Sequence, residues 1–150
     1  MTDLEKIKEL FEKKRLNNNL DLVIYFIYKH IAGDRCQVTF EAEIDVEIKE
    51  DYFKDRVLNN LDINSVRSLL GEKTSYNYRK TRNFIALDEK DKVFDDLKQQ
   101  FLDSDLGYIS SQSFPVKLII RNYILAQRDE TNRLNKEAYF KDIKRRSEYG

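Results

Sequence analysis

Between Gln37 and Ile48 the chain alternates without a miss. Val38, Phe40, Ala42, Ile44, Val46 and Ile48 are apolar, while Gln37, Thr39, Glu41, Glu43, Asp45 and Glu47 are polar. A period of two means a strand with one face in a core and one toward water. A strand this long needs a partner. Asn83 to Leu87 is a second, shorter strand, and Gly107 to Ser111 is the place where a third would be sought. Elsewhere the spacing is helical. Leu4, Ile7, Leu10 and Phe11 put one apolar face on a helix over 3–16, which Asn17-Asn18-Asn19 ends. Residues 20–32 are apolar on nearly every side, which suits a central helix stopped by Gly33. Tyr52, Phe53, Val57, Leu58 and Leu61 define a further helix, and Ile63, Val66, Leu69 and Leu70 a short one ended by Gly71. Val93, Phe94, Leu97 and Phe101 define a helix over 88–102. Pro115 opens the last, with Val116, Ile119, Ile120, Tyr123 and Ile124 on its core face and a polar, projecting extension over 128–146. The fold class predicted is α+β, with about six helices and a small, mainly antiparallel sheet, in one domain over residues 1–150.

Composition changes this picture in one respect. Charged residues are 36% of the chain, far above the ~25% of ordinary domains, yet 27 bases balance 27 acids. Attraction to a polyanion must then come from a local patch rather than from net charge. Patches exist. Residues 41–55 hold seven acids against two lysines, and 88–105 hold seven against three. Lys73, Arg79, Lys80 and Arg82 share a stretch with no acid, and 133–146 hold six bases against two acids. The single cysteine, Cys36, allows no intramolecular disulfide and no cysteine-based zinc site. A free thiol and a start lacking a basic–apolar leader point to the cytoplasm. The longest apolar run, Leu22 to Tyr28, is too short to span a bilayer as a helix, so no membrane partner is expected. The glycines are isolated and no cofactor-binding loop is visible, so no cofactor is expected.

The segment from Ser65 to Lys80 has a short apolar helix on Val66, Leu69 and Leu70, then Gly71, then a polar run from Thr74. It resembles a helix-turn-helix, which implies that the second helix presents polar and basic side chains to a major groove. Lys73, Tyr76, Tyr78, Arg79, Lys80 and Arg82 are its nucleic-acid-binding candidates, the bases for phosphates and the tyrosines for phosphate contact or base stacking. Over 82–125, the order of a strand from Arg82 to Leu87, a helix from Asp88 and a helix from Phe114 resembles a ribbon-helix-helix protein. That resemblance implies a homodimer whose strand presents Arg82, Phe84 and Ala86. The leading expectation is a non-enzymatic DNA- or RNA-binding accessory or regulatory protein.

Two other readings start from the long strand. Glu41, Glu43, Asp45 and Glu47 project from one face at about 6.5–7 Å intervals, near the spacing of successive phosphates. That suits an inhibitor or adaptor that mimics a nucleic acid and occupies a basic nucleic-acid enzyme, as some phage-type inhibitors do. Asp45, Glu47 and Lys49 also share that face, and Val46-Glu47-Ile48-Lys49 resembles the Glu-x-Lys half of the restriction-endonuclease-like motif. In that motif carboxylates hold a divalent metal and the lysine helps activate water; Asp34 is the only upstream acid for it. His30, the one histidine, ends an apolar segment, where packing or a helix C-terminus is its expected role.

Overall fold

A computed structural model describes residues 5–54 and 61–149. Its strands are β1 (Lys6–Arg15), β2 (Asp21–Ala32), β3 (Arg35–Glu47) and β4 (Lys73–Ala86). Its helices are α1 (Ile63–Leu70), α2 (Lys90–Ile109) and α3 (Phe114–Tyr149), with short 3-10 turns at Glu50–Lys54 and Leu87–Glu89. The strands form one sheet in the order β1-β2-β3-β4, and β2 pairs antiparallel with both β1 and β3. The chain divides into two compact units, one of residues 1–46 and 75–115, the other of residues 47–74 and 116–150.

The first unit is the sheet with α2 on one face. Leu22, Ile24 and Phe26 of β2 and Val38, Phe40, Ala42 and Ile44 of β3 are buried, as are Phe94, Leu97 and Phe101 of α2. Phe94 is the centre of this core, its ring 4.9 Å from Phe11, 4.3 Å from Phe26 and 5.8 Å from Phe40. Phe101 continues it toward β4, 5.1 Å from Phe40 and 4.7 Å from Tyr78. Asn19 turns the chain between β1 and β2 at φ 66°, a conformation asparagine tolerates well. Asn18 fastens that turn to the end of α2, donating from Nδ2 to the carbonyls of Ile109 and Ser111, 2.8 Å each. Gly33, at φ 56°, makes the two-residue hairpin between Ala32 and Arg35.

In the second unit, the Asp62 side chain caps α1 by accepting from the Ser65 N–H at 3.3 Å. Gly71, at φ 83°, ends α1 with its N–H on the Arg67 carbonyl. Val66, Val116, Leu118, Ile119 and Tyr123 are buried. The 36 residues of α3 extend about 54 Å at 1.5 Å per residue, and every position from 131 to 147 is exposed.

The α+β class and the antiparallel sheet agree with the sequence reading; the count of about six helices does not, since the described residues contain three α-helices. Residues 3–16 and 20–32 were expected to be helices; the described part of the first lies in β1 and the second in β2. β2 pairs with β3, whereas 107–111, where a further strand was sought, is the end of α2 and the turn after it. The strand expected at 83–87 is the tail of β4, a strand of 14 residues. The helix expected from Glu50 begins as a 3-10 turn, and its residues 55–60 lie outside those described.

Candidate nucleic-acid interface

β4 alternates as β3 does. Ser75, Arg79, Thr81 and Asn83 point to the sheet face away from α2, where each bonds a β3 side chain. Ser75 donates to Asp45 (2.5 Å), Arg79 Nη2 donates to Glu41 (3.1 Å), the Thr81 and Thr39 hydroxyls share a bond (2.8 Å), and Asn83 accepts from Gln37 (2.8 Å). Tyr76 and Tyr78 point the other way and are half-buried. Tyr78 packs edge-on against Phe40 and tilted on Phe101. Tyr76 meets Phe114 at 5.6 Å and its hydroxyl reaches Asp105 at 3.5 Å. Lys73 to Arg82 lies within β4, which follows α1 and Gly71. The strand–helix–helix order over 82–125 is present as β4, α2 and α3, with β4 paired to β3 of its own chain.

Of the six sequence-derived contacts, the two half-buried tyrosines pack against core aromatic rings and Arg79 forms an ion pair. Lys73, Lys80 and Arg82 are exposed. Neither Lys80 nor Arg82 has an ion-pair partner among the described residues. By alternation they share the side of Tyr78. Two residues beyond Arg82 stands Phe84, which the ribbon-helix-helix resemblance sets on the presented face of the strand with Arg82 and Ala86. It is 70% exposed and sits at φ 56°. A bulky residue in the left-handed region is rare and strained, costing on the order of 1–2 kcal/mol. Nothing in the sequence announced its backbone conformation. Among the described residues no further strand pairs with β4, so Phe84, Arg82 and Lys80 lie along an edge strand of the sheet.

The acidic ladder is not a uniform row. Glu41 is only 9% exposed. Lys8 Nζ lies 3.1 Å from its Oε2, and Arg79 Nη2 3.1 Å from its Oε1. Lys8 also rests 4.3 Å over the Tyr25 ring. Burial alone would raise the Glu41 pKa; the hydrogen bonds and charges of Lys8 and Arg79 outweigh it and hold the carboxyl below its ordinary value. Asp45 accepts from Ser75, Glu43 is half-buried, and Glu47 is exposed at the end of β3. Asp34, the acid that the endonuclease-like reading requires, lies in the hairpin at the opposite end of β3 from Asp45 and Glu47. His30 lies on β2, not on a helix, with its Nε2 against the Gly33 carbonyl. Cys36 is fully buried; burial raises its pKa, and the Lys90 charge pulls it partly back.

No helix among the described residues is long and apolar enough to cross a membrane. No protein-family model, curated protein or solved structure matches the chain.

Proposed function

We propose that this chain is a non-enzymatic accessory protein that binds single-stranded nucleic acid along the margin of β4. Phe84 stacks on a base, and Lys80 and Arg82 take the flanking phosphates. One observation carries the reading: a phenylalanine held 70% exposed by a left-handed backbone, two residues from an unpaired arginine. An exposed, strained aromatic gains nothing for the fold, and such outliers concentrate where a ligand is met. Single strands suit the margin better than duplex, because stacking requires an unstacked base and β4 offers no helix for a major groove.

Fluorescence anisotropy with a labelled oligothymidylate and an oligouridylate of about 15 nucleotides tests this. Stacking on one aromatic is worth about 1–3 kcal/mol, so Phe84→Ala weakens binding about 5- to 150-fold while Phe84→Trp retains it. Lys80→Ala with Arg82→Ala flattens the salt dependence by about 1.4 in logarithmic slope, at about 0.7 per phosphate contact. Absence of binding at low salt, or affinity indifferent to Phe84→Ala, defeats the proposal.

A further inference from the structure

A second exposed surface lies on α3, remote in sequence from β4. Ile124 and Leu125 are 42% and 43% exposed, and with half-buried Ile120 they floor a shallow groove of about 370 Å³. Its remaining walls are Lys117, Arg121 and Arg128. No acid lines the groove, and none of these three bases has an ion-pair partner among the described residues. Two other bases of the same helix are paired. Arg133 bridges Glu130 and Glu137 at 2.7 and 2.6 Å, and Arg146 meets Asp142 at 3.1 Å. Lys136, Lys141, Lys144 and Arg145 are likewise without an ion-pair partner among the described residues, but Asp129, Glu130, Glu137 and Asp142 are interspersed along that part of the helix, whereas 117–128 contains no acid.

We infer that this face of α3 docks an acidic amphipathic helix of another protein. Ile120 and Ile124 are one helical turn apart with Leu125 beside them, the spacing that receives the ridge of a second helix. Flanking bases match a partner with leucine or isoleucine at i, i+3, i+4 and i+7 and carboxylates on either side. A second copy of this chain fits poorly, because its own groove would set Arg121 and Arg128 against like charges. A bilayer fits poorly too. No aromatic residue lines the groove, and it continues past Ile124 and Arg128 onto Gln127, Thr131 and Asn132. Those amide and hydroxyl groups can bond to a protein but would lose their water among acyl chains.

The experiment uses the whole chain, isotopically labelled, titrated with a synthetic helix carrying leucines at i, i+3, i+4 and i+7 and glutamates on both flanks. The same helix with lysine for glutamate, and phosphatidylserine-containing vesicles, serve as the other arms. Amide shifts confined to 117–132, with the acidic helix bound about ten-fold or more tighter than its lysine twin, support the inference. Arg121→Glu with Arg128→Glu, and separately Ile124→Ser with Leu125→Ser, each weaken binding by about ten-fold. Both pairs are exposed, so the melting curve stays within a few degrees of the parent, which separates lost docking from lost folding. Failure of the acidic helix to bind, equal binding of both helices, vesicle binding that depends on the same residues, or a dimer broken by Ile124→Ser overturns it.

Discussion

Replacing Glu41 with glutamine removes one charge and no volume, which makes it a clean probe of the middle of the sheet. The Glu41 side chain is 12% exposed and meets two bases, each at 3.1 Å. A hydrogen bond to a charged group contributes about 1.5–3 kcal/mol when well shielded. Here the Lys8 and Arg79 side chains are 47% and 52% exposed, so water screens the pair toward the 0.2–1 kcal/mol typical of surface contacts. The remaining gain is also offset by the cost of desolvating the carboxylate itself. Two such contacts less the desolvation offset leave about 0.5–1.5 kcal/mol, so Glu41→Gln is expected to lower the melting temperature by about 1–6 °C for a chain of this size. The pH dependence has a definite sign. The folded pKa of Glu41 is depressed, so its contribution is complete above the ordinary carboxyl range and is lost as pH falls through the folded value. Urea unfolding followed by circular dichroism at about pH 7 and again near pH 3 gives the test. The difference between parent and variant should be present at the first pH and shrink at the second. A variant within about 0.3 kcal/mol of the parent at neutral pH, or a difference unchanged in acid, would refute the assignment of Glu41 as an ionised, bridged carboxylate.

Two further substitutions examine strain and core. Phe84→Gly removes a left-handed strain of about 1–2 kcal/mol and adds about 0.5–1 kcal/mol of chain entropy to the unfolded state. Urea midpoints should therefore hold steady or rise while oligonucleotide binding falls, and a loss above about 1 kcal/mol would mean that the ring supports the fold. Phe94→Ala empties the point where Phe11, Phe26 and Phe40 converge, and should cost about 3–5 kcal/mol in the same assay; a cost below about 1 kcal/mol would contradict the packing described.

The sequence was most legible where one face of a strand is wet. β3 alternates cleanly in sequence, and the strand expected over 37–48 is found at Arg35–Glu47. β2 lies inside the sheet and is apolar on both faces: Phe26 meets Phe94 of α2, and Ile27 on the other face is 1% exposed. Periodicity cannot separate such a strand from a buried helix, though a run of Val23, Ile24, Tyr25, Phe26, Ile27 and Tyr28 favours extended chain. β1 misleads for another reason. Its register slips between Leu10 and Glu12, so Phe11 is an extra residue that reaches Phe94. The bulge interrupts the period of two, and Ile7 and Phe11 then imitate a helical i, i+4 pair.

The candidate site divides along the same line. Tyr76 and Tyr78 alternate with Ser75, Asn77 and Arg79, a strand signal that the basic context and Gly71 obscured. Tyr76 and Tyr78 pack on Phe114 and Phe101, while Lys80 and Arg82, on the same side further along the strand, are exposed. What no local pattern discloses is which charges remain available. Glu41 and Glu43 look equivalent in the sequence, yet only Glu41 is met by a base from β1 and another from β4, 33 and 38 residues away. Arg79, Lys80 and Arg82 look equivalent too, and that same bridge removes Arg79 from the surface supply. A net charge of zero constrains only the totals. Strand register decides which members cancel, and in the first unit it leaves Lys80 and Arg82 beside an aromatic ring that the backbone holds toward solvent at the cost of strain.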